Sequence, residues 1–98
     1  MTTAKNTLLS LLFFLLGAVQ VNAQTSSTDS LALVALYNST DGANWTRPWN
    51  LSQPVDTWNG ITVANSRVTV IQLFGSNLIG SIPPELGDLT NLKTLNLS

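Results

Sequence analysis

The chain has 98 residues with four basic, five acidic and no histidine or cysteine side chains, a formal charge of −1. The lack of Cys and His removes thiol nucleophiles, His-based triads and the usual zinc, haem and iron–sulfur ligands, so neither a metal nor a cofactor is expected. From Gln24 on, Arg47, Arg67 and Lys93 are scattered among Asp29, Asp41, Asp56, Glu85 and Asp88 with no basic stripe, which argues against nucleic acid and anionic membrane surfaces as partners.

Residues 1–23 read as a secretory signal peptide. Lys5 precedes an almost wholly apolar run, Leu8 to Val19, and Val21-Asn22-Ala23 sets small or modest residues before a cut that predicts a mature chain starting at Gln24. The rival is an uncleaved membrane anchor, which needs roughly 20 apolar residues, whereas Gln20 and Asn22 close this run early. The expected location is therefore secreted or cell surface, with membrane contact only through the signal peptide during export. Sequons at Asn38, Asn44, Asn50 and Asn96 matter only in a cell with glycosylation machinery, and a Cys-free exported chain fits a bacterium better.

Gln24–Thr28 is polar and small, a flexible leader. Ser27 or Thr28 can cap a helix over Asp29–Asn38, with the Asp29 charge beside the free amides of its first turn. Leu31, Val34 and Ala35 share one face of that helix with Leu33, Leu36 and Tyr37 beside them, a broad apolar stripe that needs a partner surface. Asp41-Gly42 ends it with a turn signal. Trp45, Trp49 and Trp58 follow among Asn, Pro, Ser and Gly with no regular period. Such indoles either pin an irregular cap over the end of a core or form a sugar-stacking platform. Their position between a helix that needs covering and the first strand favours the cap, which would occupy residues 29–63.

Ile61–Val63 and Arg67–Leu73, joined by Ala64-Asn65-Ser66, read as a hairpin. Val68, Ile71 and Leu73 then recur as Leu92, Leu95 and Leu97, an offset of 24 residues that lies in the leucine-rich repeat range and outside the other common solenoid periods. Val68 to Ser98 resembles the plant-type leucine-rich repeat: Val68, Ile71, Leu73, Leu78, Gly80, Ile82, Pro83, Leu86, Gly87, Leu89 and Leu92 stand where that pattern wants them. The family's buried asparagine position falls on Ser76, with Asn77 one residue late, so side-chain bonding to the turn should be weaker here. The Leu-rich helix, Asn44-Trp45 and Trp58-Asn59-Gly60-Ile61 resemble the cap that precedes such repeats, in the Cys-free form of exported bacterial repeat proteins.

The resemblance implies an α/β solenoid: a helical, Trp-rich N-terminal cap, a β-hairpin, then stacked parallel strands. Only the first one to two repeats would be present, residues 64–98 holding the first and the start of the second. Strand alternation turns Ile71, Leu73, Leu95 and Leu97 inward and sets Val70, Gln72, Phe74, Thr94, Asn96 and Ser98 on the other, concave face, where the family commonly binds proteins or peptides. Phe74 would there either anchor a partner or pack against the cap. Gly80 and Gly87 permit tight bends, and Pro83-Pro84 need no ladder donors.

Gly75 and Gly80 are spaced like phosphate-loop glycines but lack the following Lys, and Glu85 and Asp88 occupy outward, variable positions, so no catalytic residues are expected. The expected function is an exported, non-catalytic recognition module for a protein or peptide. The alternative is a carbohydrate-binding or hydrolytic extracellular protein whose catalytic part lies beyond residue 98. With Leu92, Leu95 and Leu97 as an open apolar end, residues 24–98 alone are expected to fold weakly or self-associate.

Overall fold

The structure, a computed structural model, describes residues 25–98. The expected signal peptide and the cut before Gln24 lie outside the described residues. In chain order come helix α1 (Ser27–Ser39), short 3-10 turns at Gly42–Asn44 and Val55–Thr57, strands β1 (Ile61–Ala64) and β2 (Arg67–Gln72), a 3-10 turn at Pro84–Asp88 and strand β3 (Thr94–Asn96). The sheet has the order β1-β2-β3, β1 antiparallel and β3 parallel to β2.

The hairpin closes through Asn65 and Ser66, both left-handed with φ of 52° and 65°. Two such residues give the turn whose twist matches that of the flanking strands. The register then slips: Thr62 opposes Val70 while Val63 opposes Val68, leaving Thr69 as the extra residue of a bulge, its Oγ1 donating to the Thr62 carbonyl at 3.3 Å. This bulge accounts for the Val68–Ile71 spacing. Residues three apart in an unbroken strand would face opposite ways, yet both side chains are fully buried.

Helix α1 begins two residues before the expected start. Its N-cap is Ser26, which makes no side-chain capping bond, but the Ser26 amide donates to the Ser66 carbonyl at 2.7 Å and so ties the helix start to the hairpin turn. The buried face is Asp29, Ala32, Leu33 and Leu36, spaced i, i+3, i+4, i+7. Leu31, expected within the inward stripe, is 68% exposed. Residues 31–37 are apolar all round the helix, so the sequence carries no polar face to mark the outside, and the surface being covered decides the rotation.

Ala32, Leu33 and Leu36 pack with Trp45, Trp49, Val55, Trp58, Ile61, Val68, Ile71, Leu73 and Leu89 in one core. The returning chain is pinned to the end of α1. The Ile79 amide donates to the Thr40 carbonyl at 3.1 Å, and Gly80, at φ 131°, lies so close to the Ser39 carbonyl that any side chain would strike it. Gly87, by contrast, lies within the last 3-10 turn with open space around it and no left-handed backbone, so the bend there does not require glycine. Pro83 is buried and Pro84 opens the last 3-10 turn, a position that needs no amide donor.

Two patterned positions are less buried than the repeat predicts. Ile82 is 59% exposed, and Leu95, expected inward, is 47% exposed because β3 is the sheet's edge strand and has a neighbour on one side only. Leu92 and Leu97 are partly buried against the core. The turn at Ser76 is held by main-chain bonds, Ser76 N to Leu73 O at 3.3 Å and Thr46 N to Ser76 O at 3.0 Å, while Asn77 is exposed with a left-handed φ of 65°.

Candidate recognition face

Alternation along β2 turns Ile71 into the core and leaves Val70 and Gln72 on the outer side; Leu73, just past the strand, is buried, and Phe74 lies in the turn that follows. Register supplies their neighbours: Val70 lies between Thr62 and Thr94, and Gln72 lies beside Asn96. Pairing continues past the strand ends, with Lys93 N to Thr69 O, Leu73 N to Asn96 O and Gln72 N to Gly60 O all at 2.8 Å. Gly60, at φ 84°, is required for the last of these, since a side chain there would strike the Gln72 carbonyl.

Of the residues expected on this face, Gln72, Phe74, Thr94 and Ser98 are exposed, whereas Val70 and Asn96 are half-buried. Phe74 is 67% exposed, so most of its ring is not buried against the cap. Ser98 folds back on Asn96, whose Oδ1 accepts the Ser98 amide at 3.1 Å and its hydroxyl at 2.8 Å. Thr62 is the member that sequence reasoning left out. It is exposed and shares the face of Val70, its hairpin partner, and the register of the hairpin was the signal that could have found it.

Behind the sheet the three indoles form one aromatic stack with Tyr37. Trp49 lies at the centre: 4.9 Å from Trp58 at an interplanar angle of 19°, 4.9 Å from Trp45 at 84°, and 5.9 Å from Tyr37 at 20°. All three indoles are buried and every N–H is bonded to a main-chain carbonyl: Trp45 to Thr40, Trp49 to Asn59, and Trp58 to Asn50 and Gln53. Their faces are spent on one another.

Among the described residues no charged side chain stands in the paired rows Thr62–Val70–Thr94 or Gln72–Asn96. Asp29 is wholly buried beneath the hairpin, where both carboxylate oxygens accept bonds from Arg67 and one also accepts the Val68 amide at 2.8 Å. Donating to the Asp29 carboxylate holds the Arg67 guanidinium above its ordinary pKa. Glu85 and Asp88 line a shallow depression against α1, with Thr28, Leu31 and Ala35. A wider open groove of about 1170 Å³ lies at the outer end of the cap, where Leu31, Leu51, Val55, Trp58 and Val63 meet Ser and Asn side chains. Among the described residues no three acidic side chains converge, and no helix is long and apolar enough to cross a membrane.

No family model matches the chain. It is 42% identical over 93 residues to a probable leucine-rich repeat receptor-like protein kinase of Arabidopsis thaliana, covering 93% of this chain and 9% of that protein. A second probable leucine-rich repeat receptor-like protein kinase of the same plant is 36% identical over 93 residues, covering 95% of this chain and 13% of the relative. In three dimensions the chain is similar to a leucine-rich repeat protein from Bacteroides eggerthii, with a TM-score of 0.64 and 32% identity over 69% of this chain and 12% of that one. A counterpart from Bacteroides thetaiotaomicron gives a TM-score of 0.64 and 31% identity, covering 69% of this chain and 10% of that one. By sequence and by fold this is a leucine-rich repeat protein. It spans about a tenth of the length of the curated relatives it matches, 9% of one and 13% of another.

Proposed function

We propose that this chain is the cap and opening repeats of an exported, non-catalytic solenoid that binds a protein or peptide through the outer face of its sheet. Residues 29–63 then serve as the cap, and residues 64–98 as the first repeat and the beginning of the second. The observation that carries this reading is the lateral pairing of Thr62, Val70 and Thr94 and of Gln72 and Asn96, which sets side chains from three strands into adjacent rows over a buried core. Parallel stacking extends such rows strand by strand into a concave surface. The relatives' leucine-rich repeat character agrees with protein recognition in general. Their kinase names concern proteins of which this chain spans about a tenth, so no catalytic activity is carried over. A sugar platform on the indoles is disfavoured by the burial of all three.

The test is an alanine scan in the full-length protein at Val70, Gln72, Phe74, Thr94, Asn96 and Ser98, read as partner affinity. Losses should concentrate on these positions. Losses confined to Pro84, Glu85 and Asp88 would place the site on the returning side instead.

A further inference from the structure

We infer that the recognition face takes an uncharged, extended peptide, and that Thr62 of the cap strand is part of the contact; this rests on the reading of the outer face as the binding surface. The described residues include eight charged side chains, Asp29, Asp41, Arg47, Asp56, Arg67, Glu85, Asp88 and Lys93, and none of them occupies the rows Thr62–Val70–Thr94 or Gln72–Asn96. The nearest in sequence to these rows, Lys93, stands just before β3, where its amide pairs with Thr69. Arg67, at the other end of β2, is turned away into bonds with Asp29 and with the Thr90 hydroxyl at 3.0 Å.

A face of this composition selects against charge. An ionised side chain pressed onto it would lose hydration and meet no counter-charge within these rows, which is unfavourable wherever water is excluded. Thr62, Thr94, Gln72 and Asn96 each offer both a donor and an acceptor, except that Asn96 Oδ1 is already engaged by Ser98. Such groups match the main-chain N–H and C=O of an extended segment, which has no internal bonds of its own to satisfy them, and neutral side chains such as Ser, Thr, Asn and Gln. Phe74, in the turn two residues beyond Gln72, adds one exposed ring, which would anchor a single apolar side chain of the peptide. The exposed Thr62 widens the face onto the antiparallel strand, so the surface includes the cap as well as the repeats.

The full-length protein should be titrated with three sets of labelled peptides of equal length, each carrying one Phe or Leu: one rich in Ser, Thr, Asn and Gln, one in Asp and Glu, one in Lys and Arg. The neutral set should bind, with affinity changing by less than about twofold between low and high salt. Phe74→Ala should weaken it by about tenfold, and Thr62→Asp should weaken it while near-ultraviolet dichroism of the indoles stays unchanged. Binding of a charged set instead, abolished by Phe74→Ala or Lys93→Gln, overturns the neutral-peptide inference and leaves the outer face as the site. Binding by no set, or binding indifferent to Thr62, Gln72 and Phe74 variants, overturns both.

Discussion

The Asp29 carboxylate and the Arg67 guanidinium meet edge to edge across 38 residues of sequence, Nε to Oδ2 at 3.0 Å and Nη2 to Oδ1 at 3.1 Å. Oδ2 also accepts the Val68 amide, and Nη2 reaches on to Thr90. One bidentate pair therefore joins the start of α1, the hairpin and the returning chain, in a 98-residue stretch without cysteine. Without Asp29 the buried Val68 amide would lose its carboxylate partner and Arg67 its fork-shaped match.

Asp29→Ala should accordingly destabilise the fold by about 1–3 kcal/mol, the usual order for orphaning a buried donor, here the Val68 amide, since the solvent-accessible Arg67 can be hydrated once released. Denaturant unfolding of the full-length protein reads this directly. An unchanged midpoint would mean that the pair is incidental to stability.

Trp49 touches all three other members of the aromatic stack, so Trp49→Ala should cost about 3–5 kcal/mol, as does emptying other large aromatic sites. Near-ultraviolet dichroism should fall with it, since the coupled indoles would lose their fixed arrangement. A loss below about 1 kcal/mol would show that the cap collapses around the gap.

The strand periodicity was legible because apolar residues repeat at a fixed offset, and the hairpin because Asn65-Ser66 interrupts two β-rich runs. Three features were not. The rotation of α1 could not be read from residues 31–37, which are apolar on every side. Asp29 looked like an ordinary first-turn acid, since its partner is 38 residues away and only the folded hairpin brings Arg67 to it. The Thr69 bulge was hidden in the three-residue step from Val68 to Ile71, a step that strand alternation alone would have placed on opposite faces. On the outer face, alternation was enough to list Val70, Gln72 and Thr94, but Thr62 required the pairing register.

The two repeat-position glycines should behave oppositely. Gly80→Ala forces a side chain into a φ of 131° against the Ser39 carbonyl and should cost about 2 kcal/mol or more. Gly87→Ala meets open space and should stay within about 0.5 kcal/mol of the parent. Thermal melts of the two variants compare them, and equal losses would contradict the packing of the returning chain on α1.

Export with cleavage before Gln24 predicts that protein recovered from the medium of a secreting host has an intact mass beginning at Gln24. Recovery of the chain with Met1 attached and fixed in the membrane would contradict the signal-peptide reading of Lys5 and the Leu8–Val19 run.

Hydroxyl-radical footprinting of Phe74, in the full-length protein free and in complex with its partner, tests the recognition face most directly. At 67% exposure the ring is open to oxidation in the free protein, while Trp45, Trp49 and Trp58 are shielded by burial in the core. If the outer face is the binding surface, Phe74 oxidation should drop severalfold on complex formation while Leu31 and Leu51, at the outer end of the cap, keep their free-state rates. Unchanged Phe74 oxidation in a saturated complex, with protection appearing at Leu31 and Leu51, would put the partner in the cap-end groove and refute the assignment of the sheet as the binding surface.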